Sequence, residues 1–163
     1  MSDAIVKHLN FGEDARNKIF NGINKLTQAV SSTLGASGKC VIMEDNSGNP
    51  IITKDGVTVA NSIVLLDPVE NMGAKLIKEA ARKTVKEAGD GTTTATVIAH
   101  AILMEANKNK DITSRELKEG INTAVEKVVQ YLEKISTPVV EDKIKQVATI
   151  SANNDNDLGL LIS

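Results

Sequence analysis

Apolar residues Ala15, Ile19, Ile23, Leu26, Val30 and Leu34 recur at three- and four-residue steps, the period of an amphipathic helix ending near Gly35. Phe11-Gly12-Glu13-Asp14 reads as its turn and cap. Lys39-Cys40-Val41-Ile42-Met43 then reads as a strand, Asp45-Asn46-Ser47-Gly48-Asn49-Pro50 as a turn and Ile51-Ile52-Thr53 as the returning strand. A two-stranded hairpin alone is marginal in water, so it is expected to find another strand or surface, on a neighbouring subunit for example. Residues 57–64 fit a short helix or an extended segment. Asp67-Pro68-Val69-Glu70 has the form of a helix start, with Asp67 at N-cap, Pro68 at N1 and Glu70 at N3. Val69, Met72, Leu76, Ile77, Ala80 and Val85 mark its expected apolar face up to Gly89.

Val97, Ile98, Ala101, Ile102 and Ala106 predict a second buried helix, Ala-rich enough for close packing. After the polar loop at 107–111, Ser114 is the expected cap of a third long helix carrying Leu117, Ile121, Ala124, Val125, Val128, Leu132 and Ile135. Its charged face reads as solvated. Pro138 stops that helix. A shorter helical pattern follows through Ile144, Val147 and Ala148, then a polar stretch at 151–156. Asp157 is the expected start of a last turn with Leu158, Leu161 and Ile162 on one side. Nothing in the sequence buries that side, so the chain reads as cut off or as borrowing partners from another chain.

Composition narrows the picture. Aromatic residues are 2% of the 163, so the core must be built from Val, Ile, Leu and Ala. A formal charge of −2 with both signs interspersed argues against a nucleic-acid stripe or a membrane-binding face. The single cysteine, Cys40, excludes an internal disulfide, and with no bilayer-length apolar run and no leader pattern the expected compartment is the cytoplasm. Met72 and Met104 read as core filler, and His100 has no partner at metal-ligand spacing.

The chemistry sits in the turns. Gly89-Asp90-Gly91-Thr92-Thr93-Thr94 places two glycines around a carboxylate and three hydroxyls at the start of a helix. Such a helix start offers unpaired N–H groups to a phosphate, and a divalent metal bridging Asp90 to phosphate oxygens would explain the carboxylate. The plainer alternative is a Schellman turn, with Gly89 ending one helix and Thr92 capping the next. Thr33-Leu34-Gly35-Ala36-Ser37-Gly38 and Thr53-Lys54-Asp55-Gly56 have the same character. Together the three loops contain the backbone donors, cation and acid that a triphosphate–metal complex needs, although spacing alone does not make them converge. The P-loop, Gly-x-Gly-x-x-Gly, His-Glu-x-x-His and Gly-x-Ser-x-Gly patterns are all missing.

These stretches resemble a group I (GroEL-type, 60 kDa) chaperonin. The likeness runs through Phe11-Gly-Glu-Asp-Ala-Arg16, Thr33-Leu-Gly35, Ile52-Thr-Lys-Asp-Gly-Val57 and Glu70-Asn-Met-Gly-Ala74. It continues in family order with Ala88-Gly-Asp-Gly-Thr-Thr-Thr-Ala-Thr-Val97 and Thr149-Ile-Ser-Ala-Asn153. The resemblance implies a mainly α fold: the first half of a long-helix equatorial ATPase domain with a small β-hairpin over 1–137, and the start of the intermediate domain over 138–163. It implies ATP and Mg²⁺ as cofactors, with K⁺ near the backbone of Lys54.

Thr33, Leu34, Gly35 and Ala36 would line the nucleotide phosphates and Lys54 would sit beside them. Asp55 would be the catalytic carboxylate that positions water or polarises the site, the plainer alternative being a turn carboxylate before Gly56. Asp90 would hold the metal, and Gly91, Thr92, Thr93 and Thr94 would cradle the phosphates. The implied partners are other subunits of a homo-oligomeric, stacked ring, a co-chaperonin and unfolded polypeptides, with no nucleic acid or membrane.

Two departures matter. The family's proline after Thr-Leu-Gly is replaced by Ala36, which frees a φ angle and predicts a looser loop. The apical domain, the returning intermediate segment with its catalytic aspartate and the second equatorial half are not in these 163 residues. This predicts weak nucleotide binding and negligible turnover for the chain alone. The alternative from another functional class is a non-catalytic truncated subunit that docks onto a complete ring.

Overall fold

The computed structural model describes residues 9–35, 37–45 and 47–163, excluding the side chains of Glu141 and Asp142. The order is α1 (Gly12–Ser31), β1 (Val41–Glu44), β2 (Pro50–Thr53), α2 (Gly56–Ser62), α3 (Pro68–Ala88), α4 (Thr92–Lys108), α5 (Ser114–Ile135), α6 (Glu141–Ser151) and α7 (Asn156–Ile162). The chain divides into two compact units, Met1–Lys108 and Asn109–Ser163.

In the first unit α1, α3 and α4 pack on one another, with α2 set among them. The core joins Ile23, Leu26 and Val30 of α1 to Val59 and Ala60 of α2 and Ala74 and Ile77 of α3, with Val41, Ile63, Leu65 and Ala99 at its margin. The α1 stripe is the one its periodicity predicts. The α3 stripe is so only in part: Ile77 is buried as expected, with Val69 and Ala80 half-buried. Met72 and Leu76 are each 60% exposed, and the buried face is Gly73, Ala74, Ile77, Lys78 and Ala81. Backbone proximity is the reason. A Cβ on Gly73 would lie 2.9 Å from the carbonyl carbon of Ile19, and one on Gly22 would lie 2.6 Å from that of Glu70. Only small residues let α1 and α3 approach this closely, so the face that meets α1 carries little hydrophobic signal. Ion pairs from Lys18 to Asp67 (3.1 Å) and Lys25 to Glu70 (2.6 Å) flank the crossing.

Similarly, α4 is half-buried rather than buried. Thr96 is fully enclosed, its hydroxyl donating to the Thr92 carbonyl, while Ile98 is 54% exposed. His100 Nε2 lies 2.7 Å from Asn24 Oδ1, tying α4 to α1. The segment after Gly56 is helical. It is a seven-residue helix held at its C-terminal end by Lys78, whose Nζ donates to the carbonyls of Ile63 (2.6 Å) and Asn61 (3.5 Å). Burial, then the fields of Arg82 and Lys75, push the Lys78 pKa below its ordinary value. β1 and β2 pair antiparallel with Val41 opposite Thr53 and Glu44 opposite Pro50, and Ile42 and Ile52 stay largely exposed.

In the second unit α5 begins one residue earlier than its sequence suggests. Thr113 is the N-cap, its hydroxyl accepting from Glu116 N–H while Glu116 Oε2 accepts from Thr113 N–H, a reciprocal capping box. No described residue of α5 is buried. The apolar side of α7 stays exposed as the sequence implies, with Leu161 82% and Ile162 66% accessible, but the helix is not without a neighbour. It packs against α6, where Gly159 meets the Thr149 side chain, and its N-cap is Asp155 rather than Asp157. Asn153 and Asn154, at φ 59° and 67°, reverse the chain between the two helices. Asparagine tolerates this left-handed region better than most residues.

Candidate functional site

The three glycine-containing loops occupy the ends of elements in the first unit. Beyond α1 the chain turns tightly. Thr33 N–H and Oγ1 both donate to the Val30 carbonyl (3.1 and 2.8 Å), and Leu34 N–H donates to Ser31 O (3.1 Å). The loop closes through Lys39 N–H to Ser32 O (2.8 Å) and Gly38 N–H to Gly35 O (2.9 Å), with Gly35 at φ 74°. Leu34 is 42% exposed, and Ala36 lies outside the described residues.

Lys54, exposed, and Asp55 link β2 to α2. Asp55 is the N-cap of α2: Oδ1 accepts from Val57 N–H (3.2 Å), and Oδ2 accepts from Thr58 N–H (2.9 Å) and from the Thr58 hydroxyl. Burial raises the pKa of this carboxyl, but the bonds from Thr58 and Val57 outweigh it and hold the group below the ordinary carboxylate value. Asp55 is therefore an ionised acceptor at neutral pH, well suited to orienting a donor and poor at taking a proton.

The third loop joins α3 to α4. Gly89 ends α3 at φ 76°, its N–H donating to Val85 O, and Gly91 follows at φ 83°. Two left-handed residues so close together require glycine, and the Gly-Asp-Gly order meets that need. Gly91 N–H donates to Asp90 Oδ1 (2.6 Å). The first backbone bond of α4 runs from Ala95 N–H to Gly91 O (2.9 Å), which leaves the N–H groups of Thr92, Thr93 and Thr94 at the positive end of a 17-residue helix.

The junction of these segments is Gly56. A Cβ there would lie 3.3 Å from Thr93 Cβ and 3.3 Å from Val30 Cγ1, and would collide with Thr93 Oγ1. The start of α2, the first turn of α4 and the last turn of α1 thus meet at one place. Lys54 and Asp55 immediately precede Gly56, and Thr33 is bonded to the Val30 carbonyl. The sequence shows Gly56 as the glycine of the loop after the second strand; its part in admitting Thr93 depends on a contact 37 positions away and leaves no local signal.

The donors fit a metal-bound phosphate chain. Among the described residues no group of three or more His, Cys, Asp or Glu side chains is arranged to hold a metal. Mg²⁺ is usually held through one or two carboxylates with phosphates and waters completing its shell, and Asp90 offers a carboxylate at the helix start.

Comparison with known proteins bears on this arrangement. The family model described as "TCP-1/cpn60 chaperonin family" matches residues 26–161. Two crystal forms of the chaperonin gp146 from the bacteriophage EL 2 (Pseudomonas aeruginosa), obtained in the presence of ATP-BeFx, are 35% identical to the chain over 93% of its length, with TM-scores of 0.80 and 0.79. The chain spans 27% of the length of each. Its mainly helical build with a small two-stranded hairpin matches the equatorial and intermediate architecture of such proteins. Among the described residues no helix is long and apolar enough to cross a membrane.

Proposed function

The chain belongs to the TCP-1/cpn60 chaperonin family, and on that premise we propose that it is the N-terminal part of a group I, ATP-dependent protein-folding chaperonin. Residues 1–137 form the first half of its equatorial ATPase domain and 138–163 the start of its intermediate domain. The observation that carries the nucleotide reading is the seating of Thr93 against Gly56, which holds the Gly-Asp-Gly helix start beside the Lys54–Asp55 segment.

In this reading the N–H groups of Thr92, Thr93 and Thr94 bind phosphate oxygens, with Thr33, Leu34, Gly35 and Ala36 along the same phosphates and Lys54 beside them. Asp90 would hold Mg²⁺, with K⁺ near the Lys54 backbone. Bound Mg²⁺·ATP supplies the electrophilic γ-phosphate. Asp55, kept ionised by its helix-cap bonds, orients the attacking water as an acceptor. Binding and hydrolysis in the complete cytoplasmic protein would drive domain rotation in a stacked homo-oligomeric ring that acts on non-native polypeptides with a co-chaperonin.

The isolated chain holds one of two expected catalytic aspartates, so it should bind Mg²⁺·ATP weakly and turn it over negligibly. Calorimetric titration with Mg²⁺·ATP should show saturable binding that Asp90→Ala reduces at least tenfold. Equal binding by the variant would overturn the assignment, and steady hydrolysis abolished by Asp90→Ala would overturn the claim of negligible turnover.

A further inference from the structure

We propose that Lys78 is a positioning residue for the phosphate turn, acting through α2 from the end remote from Thr93. This rests on the nucleotide reading above. α2 has seven residues, too few to hold a helix by their own hydrogen bonds, so its placement depends on what fixes its ends. At the N-terminal end the Asp55 carboxylate closes the first turn and Gly56 abuts Thr93. At the C-terminal end Ile63 leaves the helix in an extended conformation, and its carbonyl accepts from Lys78 Nζ at 2.6 Å.

Lys78 is 7% exposed and stands on the buried face of α3, next to Ile77. A cation at a helix C-terminus complements the dipole and supplies donors to carbonyls that lack intrahelical partners. Between the two ends, Val59 and Ala60 are, among the described residues, the apolar side chains of α2 buried in the core. Without the ammonium α2 can slide or rotate along its axis, and Gly56 moves with it. The surface against which Thr93 sits then changes, although among the described residues Lys78 makes no hydrogen bond or ion pair with Thr93 or the phosphate turn. A buried lysine that merely filled space would be replaceable by an apolar chain of similar length. One that positions α2 would not.

Amide NMR spectra of the whole chain, taken before and during titration with Mg²⁺·ADP, test this with Lys78→Met and Lys78→Arg. In Lys78→Met the amides of Gly56 and Thr93 should shift while those of Gly22 and Gly73 at the α1–α3 crossing stay in place. Affinity for Mg²⁺·ADP should fall about tenfold, and Lys78→Arg, which keeps the charge and donors, should restore both. Unmoved Gly56 and Thr93 amides in Lys78→Met overturn the proposal, as does full affinity in that variant. If Lys78→Met unfolds, Lys78→Gln is measured the same way; global loss of dispersion in both shows a general packing role and also overturns it. If wild type and Asp90→Ala alike give no saturable response to Mg²⁺·ADP, the nucleotide reading fails, while the spectra without nucleotide still decide whether Lys78 sets the Gly56–Thr93 contact.

Discussion

Replacing Gly73 with alanine places a methyl group against the main chain of Ile19. The added carbon would lie 2.9 Å from the Ile19 carbonyl carbon and 3.0 Å from its Cα, and nearer still to the oxygen. Carbon atoms settle at 3.5–4.0 Å, so α1 and α3 must separate by roughly 1 Å. The obstacle is backbone and cannot rotate aside. Separation loosens the contacts of Ile23, Leu26 and Ile77, all at most 3% exposed. Overpacking of this kind costs up to about 3 kcal/mol, and alanine's better helix propensity returns up to about 1 kcal/mol. The expected net loss is about 2 kcal/mol, a fall of about 1 M or more in the urea midpoint of the first unit followed by circular dichroism.

Gly22→Ala should do the same through the Glu70 main chain. The double variant should cost less than the sum, because helices already separated by one methyl accommodate the second. Gly120 provides the control: a Cβ there meets nothing within 4 Å, so Gly120→Ala on α5 should retain or raise helicity. An unchanged midpoint in Gly73→Ala, or strict additivity in the double variant, would refute the close-crossing argument.

Two further expectations follow from single side chains. Thr27 is 5% exposed, and among the described residues its hydroxyl has no hydrogen-bond partner, so Thr27→Val should stabilise the chain by about 1 kcal/mol in the same urea assay; a loss of stability would count against the unpartnered hydroxyl. Despite burial, the cap bonds from Thr58 and Val57 hold the folded-state Asp55 carboxyl below its ordinary value, so in the acidic range the unfolded chain binds more protons and the stability from the cap is lost as pH falls through the folded-state value. Wild type should therefore exceed Asp55→Asn in thermal stability near neutrality, and the gap should narrow and close as pH falls below the ordinary carboxylate range; a gap independent of pH would contradict the assignment.

Much of the molecule is legible along the chain because its signals are local. The Asp67–Pro68 start of α3, the Gly89 stop and the hairpin around residues 45–49 each depend on a few adjacent residues. What stays hidden is long-range. The face of α3 that meets α1 is chosen by how closely two backbones pass, so Gly73 and Ala74 are buried while Met72 and Leu76 face out. Nothing local marks Lys78 as buried, because its partners, the carbonyls of Asn61 and Ile63, belong to a segment whose helical state the sequence leaves open. In the site, the residue types are evident and the contact joining two of the loops, Gly56 with Thr93, is not.

Paramagnetic broadening by Mn²⁺·ADP tests most directly whether three distant turns gather around one metal–nucleotide complex. With Mn²⁺ in place of Mg²⁺, amides of Thr33–Gly35, Lys54–Gly56 and Gly91–Thr94 should broaden together, and Asp90→Ala should abolish the effect at all three. Broadening confined to one turn, or scattered over surface carboxylates while these amides remain sharp, would contradict the account.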